Sequence, residues 1–134
     1  MTLTVIRAVP FNAEAPDAAL AEAITPAPSA YVRTNFGVPT LPADHAISID
    51  GAVARPITVT IDALRARAQR TVQATMECAG NDRLDMRPLP VGEPWQHGAV
   101  STLEWSGVSL ADLLAEAGVD ADAVEVLVTG ADRG

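Results

Sequence analysis

Ten prolines are distributed along this chain of 134 residues, and they restrict its helices and strands to short lengths. Proline has a fixed φ and no amide hydrogen, and it disfavours helix in the residue before it. Six of the ten prolines lie before residue 46, where the hydrophobic periodicity is also weak. We therefore expect this part to wrap around other elements, with one short helix over residues 18–24 that Asp17 caps.

Two short segments after this region alternate between apolar and polar residues, as half-buried strands do. They are residues 46–50 and 57–61, and the Asp50-Gly51 pair that follows the first of them is typical of a turn. The pattern predicts two antiparallel strands joined through Pro56.

The next segment contains a helix signal and a third strand signal. Asp62 is placed to cap a helix over residues 63–68. Residues 71–77 alternate again, and the apolar side chains at their even-numbered positions predict a half-buried strand. Cys78 would then stand at the end of that strand.

The remainder of the chain combines a loop, a helix and a strand. Residues 82–98 contain three prolines and predict a long loop, the kind of segment that often carries ligand contacts. Ser109 and Asp112 resemble a capping box, and Gly118 is suited to end that helix in the left-handed conformation. Branched apolar residues over 123–129 predict a strand. Together these elements predict one α+β domain with mixed or antiparallel strands and short helices.

The composition indicates a soluble globular protein and excludes two classes of partner. The hydrophobic fraction is 49% and the formal net charge is -8, so no basic face is expected for nonspecific binding to nucleic acid. No apolar run approaches the roughly 18 residues needed to span a bilayer, and residues 1–10 lack the pattern of a secretory signal. We therefore expect no membrane partner and a cytoplasmic location.

Cys78 is the single cysteine, so it cannot form an internal disulfide. Its remaining roles are buried core residue, nucleophile, redox sensor or metal ligand. His45 and His97 stand far apart, and their spacing fits neither a zinc site nor a recognisable catalytic histidine. Two interpretations stay open: a thiolate that binds a metal whose other ligands arrive with a cofactor, and an inert buried thiol in a noncatalytic or interaction module.

The segment Cys78-Ala79-Gly80-Asn81-Asp82-Arg83 is the most specific motif in the chain. Three further segments accompany it: Pro10-Phe11-Asn12-Ala13-Glu14, Tyr31-Val32-Arg33-Thr34-Asn35-Phe36-Gly37-Val38-Pro39, and Trp95-Gln96-His97-Gly98-Ala99-Val100 with Trp105-Ser106-Gly107-Val108. In their order along the chain, these segments resemble the motifs of the sulfite oxidase family of molybdenum-cofactor oxidoreductases. The resemblance runs from Pro10 to Asp132.

The resemblance implies a molybdenum–molybdopterin cofactor. In that family the cysteine matching Cys78 ligates molybdenum, and the pterin supplies a pair of dithiolene sulfurs beside oxo or hydroxo oxygens. A soft thiolate suits a metal that changes oxidation state. The further residues implied to contact the cofactor are Tyr31, Arg33, Asn35, Gly80 and Asn81.

Arg33, Arg83 and Trp105 match residues that the resemblance places in an oxyanion pocket, which implies catalytic roles for them. Guanidinium groups suit oxyanions because their planar forks form charge-assisted hydrogen bonds. The implied reaction is the oxidation of sulfite to sulfate by oxygen-atom transfer, with an unidentified electron acceptor. The alternative within the same class is a reductase that acts on nitrate or a sulfoxide.

Two substitutions and one truncation distinguish this chain from the family pattern. Asn35 stands where many members have histidine, and Asp82 adds a negative charge beside a pocket meant for an anion. The family continues with a second half of the domain and commonly a dimerisation domain. We therefore expect residues 1–134 to be a partial molybdopterin-binding domain, inactive alone, of a protein that forms a homodimer.

Overall fold

The computed structural model describes residues 2–132, which form two compact units. The first unit comprises residues 2–39, 73–105 and 132, and the second comprises residues 40–72 and 106–131. Within the described residues the strands and α-helices are β1 (Thr4–Arg7), β2 (Asn12–Glu14), α1 (Asp17–Leu20), β3 (Ala46–Ile49), β4 (Ile57–Thr60), α2 (Ile61–Arg65), β5 (Arg70–Glu77), β6 (Val100–Gly107) and α3 (Leu110–Ala117).

The strands pair two by two, β1 with β2, β3 with β4, and β5 with β6. The first two pairs are antiparallel. Two single turns of 3-10 helix, Ala27–Ser29 and Arg83–Asp85, lie in the connecting segments. The predicted α+β class with short antiparallel strands is confirmed. In residues 2–132, no helix combines the length and apolar content that crossing a membrane requires.

The core of the first unit surrounds β2, whose three residues are all buried. Small alanines and the fully buried Trp95 fill the space around it. Gly98 passes so close that a Cβ there would lie 2.5 Å from the Ala15 carbonyl oxygen and 2.8 Å from the Glu14 Cβ. The backbone of the long loop therefore packs directly against the end of β2.

The sequence missed β1 and β2 and overestimated the helix after them. α1 is one turn, and Asp17 is its first residue rather than its cap, because the extended Pro16 occupies the N-cap position. The chain leaves the helix early since Thr25 bonds to β6: its amide donates to the Thr102 carbonyl at 2.8 Å, and its hydroxyl accepts from the Thr102 amide at 3.1 Å. Tertiary hydrogen bonds thus override the local helix propensity.

In the second unit the predicted hairpin is confirmed, with Ala46 opposite Thr60 and Ile49 opposite Ile57. The predicted cap of α2 is wrong. The Thr60 hydroxyl, not Asp62, accepts from the Ala63 amide at 3.1 Å. The helix therefore begins one residue before Asp62.

The helix α3 is confirmed, and it buries Leu113 and Ala117. Gly118 ends it with φ 70, a conformation that glycine adopts at little cost. Ser109 occupies the N-cap position without a side-chain cap bond in the described chain. Asp112 instead pairs with Arg70 at 2.9 Å.

Two strand predictions differ from the structure. β5 forms, but Val72 and Met76 are 57% and 51% exposed, so its expected buried face is open to solvent in the described residues. Residues 123–129 are irregular and form no strand. Val124 and Leu127 there are more than 90% exposed. Branched residues favour a strand, but a strand needs a neighbour, and within residues 2–132 this segment has none.

Substitution of Gly98 by alanine should destabilise the first unit. The added Cβ meets backbone atoms that cannot rotate away, and overpacking of this kind costs about 1–3 kcal/mol. Gly107→Ala is the matched control, because no atom lies within 4 Å of a Cβ built there. Urea unfolding would measure both, and equal free energies of unfolding would contradict the packing at Gly98.

The ion pair between Arg67 and Glu116 should make the stability depend on pH. The Arg67 guanidinium, at 2.5 Å, lowers the pKa of Glu116 from its usual 4.5. A carboxyl with a lowered folded-state pKa contributes stability above its unfolded pKa and loses it as the pH falls through the folded value. The difference in urea midpoint between wild type and Glu116→Gln should therefore shrink on acidification below about pH 4.5. A constant difference would contradict the pairing.

Candidate functional site

Cys78 follows directly after β5, as the sequence predicts. Its amide donates to the Ala99 carbonyl at 2.9 Å, which places it opposite the residue before β6. The thiol is free and the residue is half-buried. Among the described residues, no group of three or more His, Cys, Asp or Glu side chains could hold a metal ion. Cys78 therefore belongs to no such group within the described residues.

Asn81 closes the ends of β5 and β6 beside Cys78. Its side-chain oxygen accepts from the Ala99 amide at 2.9 Å, and its side-chain nitrogen donates to the Glu77 carboxylate at 3.0 Å. Its own amide donates to the Cys78 carbonyl at 2.9 Å. The side chain thus acts on the protein itself by fixing the turn that carries the thiol, and its predicted cofactor contact stays a prediction.

Three of the predicted site residues, Tyr31, Arg33 and Trp105, line one cavity of about 200 Å³, which we call the Tyr31 cavity. Trp105 is 46% exposed, so it is not an ordinary core residue. The remaining wall is mostly apolar. It consists of Ala30, Met76, Ser101 and Leu103.

The surroundings of Tyr31 favour the protonated form of its phenol. Burial raises the pKa of its phenol, and the charges of Cys78 and Glu77 raise it further. The Tyr31 backbone is bonded to β6, because its amide donates to the Ser101 hydroxyl at 3.0 Å. At neutral pH the phenol keeps its proton and can donate a hydrogen bond.

Arg33 stands between the Tyr31 cavity and a second hollow. That hollow has a volume of about 550 Å³ and is lined by residues 33–39 and Asp132. The guanidinium bonds to the Thr34 carbonyl and, at 3.4 Å, to the Asn35 side-chain oxygen. Within residues 2–132 no ion pair includes Arg33. Its positive charge is therefore not neutralised by a carboxylate of the described chain.

Arg83 lies outside both cavities, between two glycines. A Cβ on Gly80 would lie 2.3 Å from the Arg83 Nη2 atom, and one on Gly92 would lie 2.4 Å from Nη1. Nη1 also donates to the Glu93 carbonyl at 2.8 Å. The structure does not bring Arg83 into the wall that Arg33 and Trp105 share, and its role toward an anion stays a prediction. Gly80 leaves room for this guanidinium, a role that the sequence did not indicate.

Asp82 has a left-handed backbone conformation, with φ 59. Its amide bonds to the Gln96 carbonyl, and the residue is exposed. Aspartate tolerates this conformation better than most residues with a side chain. The carboxylate is therefore in contact with solvent, which screens the negative charge that the sequence placed beside the anion pocket.

Two residues of the motifs have roles that the sequence analysis missed. Asn12 is fully buried and bonds to the segment that carries Arg33. Trp95 is also fully buried, and its indole Nε1 has no hydrogen-bond partner among the described residues. An unpaired buried donor costs about 1–3 kcal/mol. The sequence signal that could have singled out both residues is their position in the matched motifs.

The comparisons with known proteins agree with these motifs. A protein-family model described as oxidoreductase molybdopterin binding domain matches residues 35–134, which is most of the chain. The chain belongs to this family of oxidoreductase domains.

Its curated relatives include sulfite oxidases and a nitrate reductase. The sulfite oxidase of Gallus gallus is 42% identical over 114 residues, covering 81% of this chain and 25% of the relative. The mitochondrial sulfite oxidase of Drosophila melanogaster is 40% identical over 128 residues, or 92% of this chain and 22% of the relative. The NADH nitrate reductase of Volvox carteri is 40% identical over 115 residues, or 82% of this chain and 13% of the relative. The chain thus spans a quarter or less of the length of these relatives.

A solved structure shows the same likeness. The crystal structure of the sulfane dehydrogenase SoxCD from Paracoccus pantotrophus superposes with a TM-score of 0.71 at 31% identity. The match covers 86% of this chain and 30% of that chain. It confirms that the short strand pairs and helices belong to the molybdopterin-binding fold.

The contact between Gly80 and Arg83 predicts a specific coupling of two substitutions. Gly80→Ala should displace the Arg83 guanidinium, because the new Cβ would occupy its position. In an Arg83→Ala background the same substitution should cost nothing, since the obstacle is gone. A double-mutant cycle on urea unfolding would measure this coupling. Additive free energies would show that the guanidinium does not lie against Gly80.

Proposed function

We propose that this chain is part of a molybdenum-cofactor oxidoreductase of the sulfite oxidase or sulfite dehydrogenase type, in which Cys78 is the protein ligand of the metal. The observation that supports this most is the place of the free thiol at the end of β5, two residues after Met76, which lines one cavity with Tyr31, Arg33 and Trp105. The residues fit the group, because one soft thiolate is what a cofactor with its own sulfur and oxygen ligands requires.

When bound, the cofactor would supply the oxygen-atom-transfer chemistry by which sulfite becomes sulfate, and the electron acceptor would take up the two electrons released. Arg33 binds the oxyanion, and its charge matters because the chain as a whole carries a net charge of -8. Tyr31 and Trp105 line the same cavity, and their side chains each carry one further donor, a hydroxyl and an indole N–H.

Sulfite is the substrate that we favour. Sulfite oxidases of two animals are similar to this chain at 40% and 42% identity, and the superposed structure is a sulfane dehydrogenase. Nitrate is the second candidate, since the Volvox carteri nitrate reductase is 40% identical. Both are small oxyanions that a guanidinium binds, so the Arg33 site does not separate them.

Several features of the whole protein belong to the same proposal. We propose that residues 1–134 are part of a larger molybdopterin-binding domain, supported by the share of its relatives that the chain covers. An electron acceptor, a homodimer and a cytoplasmic location are proposed on the family resemblance and the composition.

Replacement of Cys78 by serine should remove the metal. In the natural full-length protein, isolated from a host that makes the cofactor, we expect molybdenum at about one atom per chain, and its loss in Cys78→Ser because a hydroxyl is a poor ligand for a soft metal site. Elemental analysis by mass spectrometry measures this. Ser106→Ala, which removes an exposed hydroxyl from β6, is the control and should keep its molybdenum.

A metal-free wild-type protein from a molybdenum-replete host would contradict the proposal and favour a noncatalytic module. Reduction of an artificial electron acceptor by sulfite, compared with nitrate and sulfoxide reduction, separates the substrates. Molybdenum in the protein without any sulfite oxidation would keep the cofactor and reject sulfite.

A further inference from the structure

We propose that Asn12 is the positioning residue of the anion site, because its buried side chain fixes the backbone that carries Arg33. The proposal rests on the proposed function, in which Arg33 binds the oxyanion. Asn12 lies in β2 and touches neither of the cavities. It therefore acts through its neighbours rather than on the substrate.

The side chain of Asn12 is fully buried, and both of its polar groups are used. Its nitrogen donates to the Pro10 carbonyl at 3.0 Å, and its oxygen accepts from the Thr34 amide at 2.8 Å. The second bond joins residues 22 positions apart in sequence. Both bonds are part-buried, so water competes less for their groups than it does for those of an exposed bond.

The Asn12 bond completes a set of contacts that holds residues 32–34 against residues 11–13. Ala13 and Val32 exchange two backbone bonds of 3.0 and 2.8 Å. The Thr34 hydroxyl donates to the Phe11 carbonyl at 2.8 Å, but this bond is exposed. Asn12 therefore supplies the buried bond to the residue that follows Arg33.

The direction of the Arg33 side chain depends on this backbone. Its guanidinium bonds to the Thr34 carbonyl and the Asn35 side chain, which belong to the same segment. The described residues provide no carboxylate partner that would hold the guanidinium independently. If Thr34 moves, the acceptors of Arg33 move with it.

The chemistry of the site explains why the residue is asparagine. The position needs one donor for the Pro10 carbonyl and one acceptor for the Thr34 amide, at the reach of a single side chain. Aspartate would supply the acceptor but would set a buried negative charge against the Pro10 carbonyl. Alanine would leave both backbone groups without their partner.

Hydrogen exchange by NMR tests the contact itself. In the wild-type protein the Thr34 amide should exchange at least about tenfold more slowly than the Arg33 amide, which has no acceptor among the described residues. Asn12→Ala should remove that protection while the Val32 amide keeps its own. Asn12→Ser, which keeps a polar group but cannot reach Thr34, should do the same if the alanine variant does not fold.

Steady-state kinetics of the natural full-length protein tests the consequence. Asn12→Ala or Asn12→Ser should raise the KM for sulfite about fivefold or more, with kcat within about twofold and the molybdenum content unchanged. Ser48→Ala is the control: it removes an exposed hydroxyl bond in β3, outside both cavities and the Arg33 segment, so its KM should change by less than about twofold.

The outcomes separate the two proposals. Equal exchange of the Thr34 and Arg33 amides in wild type, or an unchanged KM in variants whose Thr34 amide has lost its protection, would overturn the role of Asn12. Equal effects of Asn12→Ser and Ser48→Ala on KM would also overturn it. A wild-type protein with no activity toward sulfite would refute the proposed function instead, and the exchange data would still decide whether Asn12 fixes the Arg33 segment.

Discussion

The turn after β5 is the constraint on which the rest of the site depends. Asn81 ties Glu77 to Ala99, and the Cys78 amide bonds to the Ala99 carbonyl, so the thiol has a fixed place at the joined ends of two strands. A metal ligand on a free loop would lose conformational entropy on binding. Here that entropy is already lost in the folded chain, so the thiol that we propose as a ligand is preorganised.

The backbone that carries the Arg33 guanidinium is fixed by hydrogen bonds as well. Arg33 lies on a segment without regular structure, yet its neighbours on both sides are bonded to β2 and the turn before it. Burial of the polar side chains of Asn12 and Glu14 in β2 would cost free energy if they had no partners. Both have one, because they accept from the backbone amides of Thr34 and Gln96 in the neighbouring loops. Polar residues in this core thus serve to place functional segments, which apolar side chains could not do.

Local patterns predicted the parts of the fold that local interactions determine. The hairpin of β3 and β4 and the helix that ends at Gly118 formed as expected, because alternation and a left-handed glycine act within a few residues. The strand β6 and the early end of α1 depend on contacts between distant residues, such as Thr25 with Thr102, and no local pattern contains them.

In the candidate site, too, the sequence predicted residue types but not the contacts between distant residues. The motifs predicted which residue types belong to it, and three of them share the Tyr31 cavity. They did not indicate that Asn81 bonds to the protein itself, or that two glycines surround the Arg83 guanidinium. Such roles follow from packing, and a pattern of residue types does not contain packing distances.

The most direct measurement of the central claim is X-ray absorption at the molybdenum edge of the natural full-length protein. The account predicts one sulfur neighbour of the metal beyond the dithiolene pair that the family resemblance implies, because the Cys78 thiolate is a ligand. Two sulfur neighbours, those of the dithiolene pair alone, would contradict it.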